Sequence, residues 1–318
     1  MPAAAPTDAA CALSIVIVNW NGGNLLARCL ASLQRQLGTL SADCEMIVVD
    51  NGSSDSSMQD VACAPSVVAI YNNRNLGFGQ ACNIGARTAR GRFLLFLNPD
   101  CEVRQGSIER CLAELQSADV GACSVALTDE SGAVSRSCHR FPNLANFCAR
   151  ILGLQFVSAR ISGGAMTEWD HGSDADVDHV IGAFYALRRE LFDQLGGFDE
   201  RFFMYLEDLD LSLRIRQAGY RIRFLCAPAS FHIGGGVSRQ IKARRLFFAT
   251  RSRILYAYKH FPRWQAHLHL GLTLFVEPLT RAALALAQGS FSALKETCAG
   301  FAMLWRDLPT TLRLAGHA

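Results

Sequence analysis

The sequence predicts an α/β fold with a doubly wound, mostly parallel sheet, and three observations support this. Short continuous apolar runs alternate with segments of helical spacing. Polar residues follow three of these runs directly, at Asn19, Asp50 and Asp100. Half of the 318 residues are hydrophobic, which is enough to bury a sizeable core. Because such sheets bind ligands at the carboxyl ends of their strands, the polar clusters mark the expected site.

Each element has its own pattern. The first helix repeats leucines on one face, at Leu26, Leu30, Leu33 and Leu37. Gly219 follows the last helix at the usual stop position. The predicted strands are 13–18, 45–49, 67–71, 93–97 and 180–187. The predicted helices are 25–37, 79–90, 107–116, 189–195 and 208–218. A hairpin is expected from 120–127 and 133–137, and a variable loop or small insert from 141–176.

The charge divides the chain into two parts. Residues 236–318 contain 12 Lys/Arg and 3 Asp/Glu, a net +9, whereas residues 1–235 contain 19 and 25, a net −6. We therefore expect a flexible tail at 1–12, a globular domain at 13–238 and a basic, apolar, helical region at 239–318. Nucleic acid is not the expected partner, because the basic region is also apolar; a membrane surface is favoured instead.

The 12 cysteines are scattered and form no Cys-x-x-Cys pair. This pattern indicates reduced thiols in a reducing compartment, not a disulfide framework or a zinc site. The opening ten residues have neither the basic start nor the long apolar run of a signal peptide. A cytoplasmic protein is expected.

Two loops near the start allow a structural or a functional interpretation. Asp50, Asn51, Gly52 and Ser53 have the composition of a turn, but a carboxylate with loop amides could also grip a nucleoside. The segment from Asn75 through Gly77 to Cys82 approaches the dinucleotide fingerprint, but a cysteine replaces the third small residue. A nicotinamide cofactor is therefore discounted, although a glycine-rich helix start can still face phosphate or sugar.

Acids and one histidine suggest a second constellation. Asn98, Pro99 and Asp100 form either a proline turn or a carboxylate site for Mg²⁺ or Mn²⁺, to which His232 could add a ligand. The run from Glu207 through Asp208 to Asp210 is explained equally well as a solvated helix start. That explanation does not account for a histidine beside glycines, at 232–236.

Taken in order, these motifs resemble glycosyltransferase family 2, an inverting family with the GT-A fold, and within it the rhamnosyltransferase-like branch. The resemblance covers roughly residues 13–240. Its motifs are Asn19-Trp20-Asn21, Val48 to Ser53, Asn75 to Gly79, Leu97 to Asp100, Gly182-Ala183, Gly196 to Glu200, Glu207 to Asp210 and His232.

The resemblance implies roles for these residues. Asp208 would be the general base, with Glu207 and Asp210 orienting the acceptor or the base. Asp100 and His232 would hold the cation that stabilises the departing diphosphate. The nucleotide-diphosphate sugar, such as dTDP-rhamnose or a UDP-sugar, would be held by Asn19, Asp50, Asn51, Asn75, Gly77 and Asn98.

Many relatives have Asp-x-Asp where this chain has Asn98-Pro99-Asp100, so fewer acids face the cation. Three other classes remain open at this point. A glycoside hydrolase also uses paired carboxylates but needs no nucleoside site. A nucleotidyltransferase needs no base for an acceptor hydroxyl. A non-catalytic sugar-binding or scaffold protein would not need the acids at 207–210.

The tail supports two interpretations. Basic residues alternate with aromatics over 240–259, and 268–287 is apolar but interrupted by Glu277, Pro278 and Arg281. This falls just short of a spanning helix and favours one lying in the membrane interface. Such a helix would suit a glycan acceptor linked to lipid, at the cytoplasmic face of the inner membrane. The alternative is a helical subdomain or a homo-oligomer interface.

Overall fold

The computed structural model describes residues 11–316 except 39, 41, 63–65, 155–163, 165, 167 and 235–241. The first ten residues of the expected tail and the expected boundary at 238 lie outside this range. The strands are β1 (Leu13–Asn19), β2 (Cys44–Asp50), β3 (Val67–Tyr71), β4 (Phe93–Leu97), β5 (Cys101–Glu102), β6 (Val120–Thr128), β7 (Cys138–His139), β8 (Ala175–Val177), β9 (His179–Val180), β10 (Phe184–Arg188) and β11 (Arg221–His232).

Nine of these strands form a mixed, mostly parallel sheet in the order β3-β2-β1-β4-β10-β6-β11-β5, with β8 added beside β11, and β7 and β9 form a separate two-stranded sheet. Strands β3, β2, β1 and β4 are parallel, as are β6 and β11, whereas β10 runs antiparallel between β4 and β6. The predicted doubly wound α/β sheet is confirmed. As a consequence, Asn19, Asp50 and Asn98 lie at one edge of the sheet.

Helices cover both faces of the sheet. They are α1 (Asn24–Leu37), α2 (Gln59–Ala62), α3 (Phe78–Thr88), α4 (Ser107–Glu114), α5 (Leu144–Ile151), α6 (Arg189–Gln194), α7 (Glu207–Gln217), α8 (Lys242–His260), α9 (Arg263–Gly271), α10 (Glu277–Ala287) and α11 (Phe291–Gly316). In β1, Ile15 and Ile17 belong to one core cluster and Val16 and Val18 to another. This alternation explains why the strand reads as a continuous apolar run.

Four parts of the structure differ from the sequence expectation. The predicted strand 180–187 is divided into β9, which pairs with β7, and β10, which pairs with β4 and β6. The hairpin after β6 is reduced to a single bridge between Thr128 and Val134, because β10 and β11 occupy both edges of β6. The segment expected to be a loop or insert contains the helix α5, which begins with a capping box at Asn143. Strand β11 has twelve residues and was not predicted, because polar and charged residues interrupt its apolar pattern.

The C-terminal region is helical, as predicted. Helix α9, a π-helical turn at Leu272–Val276 and α10 form one continuous helix. It is the one helix of the described residues whose length and composition would suffice to cross a membrane, and 22% of its most apolar window is buried. Glu277 within it is fully buried and accepts hydrogen bonds from Arg253 and Arg281. These contacts hold the helix against α8.

Candidate active site

A cleft of about 390 Å³ opens at the carboxyl edge of the sheet. Seven of the predicted site residues lie on its wall, and they come from five separate parts of the chain. They are Asn51, Asn75, Asn98, Asp100, Glu207, Asp208 and His232. The structure therefore brings together most of the residues that the sequence motifs indicated.

Asp100 and His232 are neighbours at one end of the cleft, although 132 positions separate them. Strand β11 pairs antiparallel with β5, and His232 lies opposite Cys101. The Nε2 atom of His232 is 3.3 Å from Oδ1 of Asp100, and both side chains are about 10% exposed. This Nε2 is buried and has no hydrogen-bond partner among the described residues. A carboxylate beside an imidazole nitrogen without a partner fits a divalent cation.

Cys101 lies close enough to be considered as a third ligand. However, its thiol donates to the carbonyl of Ala183 at 3.3 Å. Burial, together with the charge of Asp100, raises the pKa of this thiol well above its usual range. A protonated thiol is a poor ligand for a hard cation, so the candidate protein ligands are Asp100 and His232.

The opposite end of the cleft is lined by amides and rings. Asn51 donates to Asn75 Oδ1 at 3.0 Å and accepts from the backbone N–H of Leu76 at 3.0 Å. These bonds connect the loops that follow β2 and β3. Trp20 also lines this end, although its sequence motif indicated no separate role for it. An aromatic ring beside paired amides is a suitable surface for a nucleobase.

Asn19 and Asp50 lie beneath this end and are not on the cleft wall. Asn19 donates to Asp50 Oδ1 at 3.1 Å, and Asp50 Oδ2 accepts from the backbone N–H of Ser53 at 3.1 Å. Gly77 is also set back from the cleft. A Cβ at Gly77 would meet the carbonyl oxygen of Phe203 at 2.3 Å, and its φ is +91°. In this structure the three residues shape the loops that the cleft residues stand on.

The acids of α7 follow a strained backbone. Tyr205 and Leu206 both have positive φ, at 69° and 66°. Each such non-glycine residue costs about 1–3 kcal/mol, and strain of this kind concentrates at functional sites. The turn places Glu207 and Asp208 in the first turn of α7, on the cleft wall.

Asp208 is positioned by hydrogen bonds from the backbone. Its Oδ2 accepts from the N–H of Gly182 at 2.7 Å, and its Oδ1 accepts from the N–H of Leu209 at 2.8 Å. His179 Nε2 is 3.8 Å from the same Oδ2. Burial lowers the pKa of His179 to about 4, so the imidazole is neutral at pH 7 and does not neutralise Asp208. Among the described residues, Asp208 has no other ion-pair partner within 4 Å. A carboxylate that is fixed in place and not paired with a cation is suited to accept a proton.

Glu207 is buried beside Asp208. Its Oε2 has no hydrogen-bond partner among the described residues. Burial, followed by the charge of Asp208, raises the pKa of Glu207 well above its usual range. This shift favours the protonated form of Glu207, which can donate a hydrogen bond.

Asp210, which was expected to orient the acceptor or the base, lies away from both cavities beside Asp208. It is completely buried and lines neither cavity beside Asp208. Its carboxylate accepts from Arg214 at 2.9 Å and lies 2.6 Å from Lys259 Nζ and 2.7 Å from His260 Nε2. Although burial alone would raise its pKa, the hydrogen bond from His260 and the two cations lower it. Asp210 thus holds α7 against α8.

A second cavity of about 340 Å³ lies on the other side of Asp208. The two cavities share Ile181, Tyr205, Glu207 and Asp208 as a common wall. The rest of the second cavity is rich in basic groups that sequence reasoning missed. They are His139, Arg140, Arg150, His179 and Arg253. No motif marked these residues, because they come from β7, β9, α5 and α8 and meet only in the folded chain.

Comparison with known proteins identifies the relatives of this chain. The family model described as "Glycosyl transferase family 2" matches residues 14–196. The chain is 29% identical over 271 residues to the N-acetylglucosaminyl-diphospho-decaprenol L-rhamnosyltransferase of Mycobacterium tuberculosis, which covers 80% of this chain and 87% of that protein. It is 27% identical over 237 residues to the rhamnosyltransferase WbbL of Escherichia coli, at 70% and 87% coverage.

Solved structures share the fold. A mannosyltransferase from Pyrobaculum calidifontis, solved with GDP-Man and Mn²⁺, superposes with a TM-score of 0.54 at 17% identity, over 96% of this chain and 85% of that one. Staphylococcus aureus TarS 1–349 gives 0.52 at 16% identity, over 94% and 91%. These likenesses confirm the predicted GT-A fold.

The family model matches more than half of the chain, and its family is the one that the sequence motifs indicated. Transfer of a sugar needs a site for the nucleotide donor and a positioned base, and the cleft has candidates for both. The hydrolase, nucleotidyltransferase and scaffold alternatives are accordingly set aside. The chain belongs to glycosyltransferase family 2, and its relatives place it with the rhamnosyltransferase-like glycosyltransferases of that family.

Proposed function

We propose that this enzyme transfers a sugar, with inversion, from a nucleotide-diphosphate donor to a hydroxyl of a glycan or lipid-linked glycan in cell-surface polysaccharide synthesis. A rhamnose-like sugar is favoured, since two relatives are named rhamnosyltransferases. The observation that carries the proposal is the position of Asp208. It lies on the wall between two cavities, one of which contains Asp100 and His232.

In this proposal the donor occupies the cleft that contains Asp100. The nucleoside lies against Trp20, Asn51 and Asn75, with Asn19, Asp50 and Gly77 supporting these loops, and the diphosphate points towards Asn98, Asp100 and His232. Asp100 and His232 would hold Mg²⁺ or Mn²⁺. A bound cation supplies charge stabilisation for the departing diphosphate.

Asp208 acts as the general base. Its carboxylate takes the proton of the acceptor hydroxyl as the hydroxyl oxygen bonds to the anomeric carbon. The bond from that carbon to the diphosphate oxygen breaks, and the diphosphate leaves with the electron pair. The backbone N–H of Gly182 fixes the carboxylate, and protonated Glu207 can donate a hydrogen bond to a substrate oxygen.

We further propose that residues 239–318 bring the enzyme to the cytoplasmic face of the inner membrane. Leu268, Phe275, Leu279 and Leu286 are exposed along one stripe of the α9–α10 helix. Trp264, Phe291 and Trp305 are also exposed, and the exposed basic residues Arg263, Lys295 and Arg306 lie close to them in sequence. Exposed aromatic and basic residues together favour an interfacial position.

The ion pairs argue against a spanning position for this helix. Arg253 Nη2 lies 2.7 Å from Glu277, and both side chains are buried. Moving α10 away from α8 to cross a bilayer would leave both charges without partners, which is costly. The alternative role for this surface is a homo-oligomer contact.

The direct test of the proposed function is a donor panel. Purified enzyme with Mg²⁺ or Mn²⁺ is incubated with dTDP-rhamnose, UDP-galactose, UDP-galactofuranose and UDP-N-acetylglucosamine, and release of the nucleoside diphosphate is measured. We expect one donor to be preferred, with dTDP-rhamnose favoured. Absence of binding and of turnover with every nucleotide sugar, in calorimetry as well as in the release assay, would reject the proposal.

A further inference from the structure

We propose that the second cavity binds a phosphate or diphosphate group of the acceptor through the guanidinium groups of Arg150 and Arg253. This inference rests on the proposed function, because it takes Asp208 as the base that receives the acceptor proton. It adds the residues that recognise an anionic group of the acceptor.

The first observation is an unpartnered guanidinium nitrogen. Arg253 is 6% exposed, and its Nη2 donates to both oxygens of Glu277, at 2.8 Å and 2.7 Å. Its Nη1 is buried and has no hydrogen-bond partner among the described residues, yet Arg253 lines the cavity. An unsatisfied donor on a buried cation is costly, so a ligand oxygen at this position would be favourable.

The second observation is an excess of positive charge. Arg150 lies in the last turn of α5, lines the cavity and makes no ion pair with any residue that the structure describes. Burial by the surrounding protein, and then the charges of Arg253 and Arg281, lower its pKa to about 10. Among the described residues, Glu277 is the anion that acts on Arg150 beside Arg253 and Arg281, so these four groups together carry a net charge of +2. A ligand with negative charge would offset them.

The third observation is the position of the cluster relative to the donor. Asp100 and His232 line the first cavity and not the second, while Asp208 lines both. In a displacement with inversion, the attacking hydroxyl and the leaving diphosphate lie on opposite faces of the anomeric carbon. An acceptor that approaches Asp208 from the second cavity therefore places its own anionic group near Arg150 and Arg253, away from the donor diphosphate.

The planar fork of a guanidinium matches phosphate oxygens, and two such groups can hold a diphosphate. A phosphate of this kind could belong to the acceptor itself or to a headgroup of the surrounding bilayer. The position of the cluster inside a cavity that ends at Asp208 favours the acceptor.

The test measures binding to the full chain, without turnover. Undecyl-diphospho-N-acetylglucosamine and neutral undecyl N-acetylglucosaminide are titrated into the protein while dTDP or UDP saturates the donor cleft. We expect Arg150→Gln to weaken the diphosphate ligand by about 10- to 100-fold, the range for hydrogen bonds to charged groups. The neutral ligand should bind both proteins equally.

Arg140→Gln is the matched control. Arg140 lines the same cavity, but its side chain is 53% exposed and already paired with Glu168. Its loss should change affinity for the diphosphate ligand by less than about 3-fold. Arg150→Lys keeps the charge but loses the planar guanidinium, so its affinity for the diphosphate ligand should lie between those of Arg150→Gln and the wild type. If Arg150→Gln melts at a lower temperature than the wild type, Arg150→Lys is used in its place.

Three results would overturn the inference. The first is equal affinity of the wild type and the Arg150 variants for the diphosphate ligand. The second is displacement of that ligand by the nucleotide, which would assign the cluster to the donor. The third is a matching loss of binding to phosphatidylglycerol vesicles that contain no diphosphate lipid, which would assign it to headgroups. Nucleotide binding, measured on the same samples, tests the proposed function independently.

Discussion

The two cavities that meet at Asp208 are lined by different kinds of side chain. The donor cleft is formed mainly by loops at strand ends and by the start of α7. It contributes the amides of Asn51 and Asn75, the candidate cation ligands Asp100 and His232, and one guanidinium group, that of Arg245. The second cavity is lined by residues of α5, α7 and α8 together with loops and short strands, and it contributes three guanidinium groups. The donor side therefore offers a candidate cation site beside one arginine, whereas the other side offers three arginines.

The two sides also differ in how they are held. Asp100 and His232 are placed by the pairing of β5 with β11, within the sheet. Arg253 and Glu277 are placed by packing of α8 against the α9–α10 helix. A change in the C-terminal helices should therefore alter the second cavity more than the donor cleft.

Replacing the shared residue should give the largest effect. Asp208→Asn keeps the shape of the side chain but removes the basic carboxylate. We expect turnover to fall by about 10²- to 10⁴-fold, the usual contribution of a positioned base, with little change in donor affinity. Initial rates and calorimetry with the preferred donor measure the two quantities.

Asp193→Asn is the control for this substitution, because Asp193 is 61% exposed on α6 and pairs only with Arg189 among the described residues. It should have wild-type turnover. Near-normal turnover of Asp208→Asn would show that Asp208 is not the base. The two cavities would then share no catalytic residue.

The cation should distinguish the donor side from the acceptor side. Replacing Asp100 or His232 should raise the Mn²⁺ or Mg²⁺ concentration needed for activity by at least about 10- to 100-fold. That is the usual loss of metal affinity when a residue that only orients a metal ligand is replaced. EDTA should abolish activity, and added metal should restore it. Binding of the diphosphate ligand to the second cavity should not change.

The metal titration of Asp100→Asn and His232→Gln is compared with that of Arg140→Gln, which should match the wild type. Full activity of the wild type after metal removal would reject the cation site. Asn98 contributes no charge there, so Asp100 is the one carboxylate expected to dominate the response.

Glu207 should make stability depend on pH. Its pKa is raised in the folded chain, so it stays protonated there after the unfolded chain has lost the proton, and folding stability falls as pH rises above the unfolded value of about 4.3. Glu207→Gln removes this penalty. Relative to the wild type, the free energy of unfolding of the variant should rise by up to about 1.4 kcal/mol per pH unit above that value, until the pH reaches the pKa of Glu207 in the folded chain.

Melting temperatures of both proteins from pH 5 to pH 8 test this expectation, with Asp193→Asn as a control that should show no such trend. A stability difference that stays constant across the range would mean that Glu207 is ionised in the folded protein. The proposed division of roles between Glu207 and Asp208 would then fail.

The smallest effect per residue is expected at the membrane surface. The protein should sediment with anionic liposomes and less with neutral ones, and salt should weaken the binding. Each exposed basic residue near the surface contributes about 1 kcal/mol, so reversing Arg263, Lys295 and Arg306 together should release the protein. Reversing Arg28, Arg87 and Arg189, in the first 200 residues, is the control.

Several basic residues of the tail are not available for this role. Arg251, Arg253 and Lys259 form ion pairs inside the protein, so the net charge of residues 236–318 overstates the charge that a membrane can meet. Truncation after Ser238 should abolish liposome binding. If the intact chain ignores anionic liposomes and forms a dimer that truncation converts to a monomer, the helices are an oligomer contact.

The sequence by itself determined the strands β1 to β4, the order of the polar loops that follow them, and the family. These features are local: a buried parallel strand is a continuous apolar run, and the loop after it carries the polar residues that the site needs. For this reason Asp100 could be named before its position was known. Asp208 and His232 were named instead from the acidic run at 207–210, the glycines beside the histidine and the family resemblance.

Only the tertiary structure decided which side chains share a wall. Asp208 and Asp210 are two positions apart on one helix. Neither composition nor spacing shows that Asp208 faces a cavity, whereas Asp210 is buried in ion pairs with Arg214, Lys259 and His260. The basic cavity depends on contacts between α5 and α8, about a hundred residues apart. Such contacts leave no local pattern, because packing between distant helices is set by shape and burial across the whole fold.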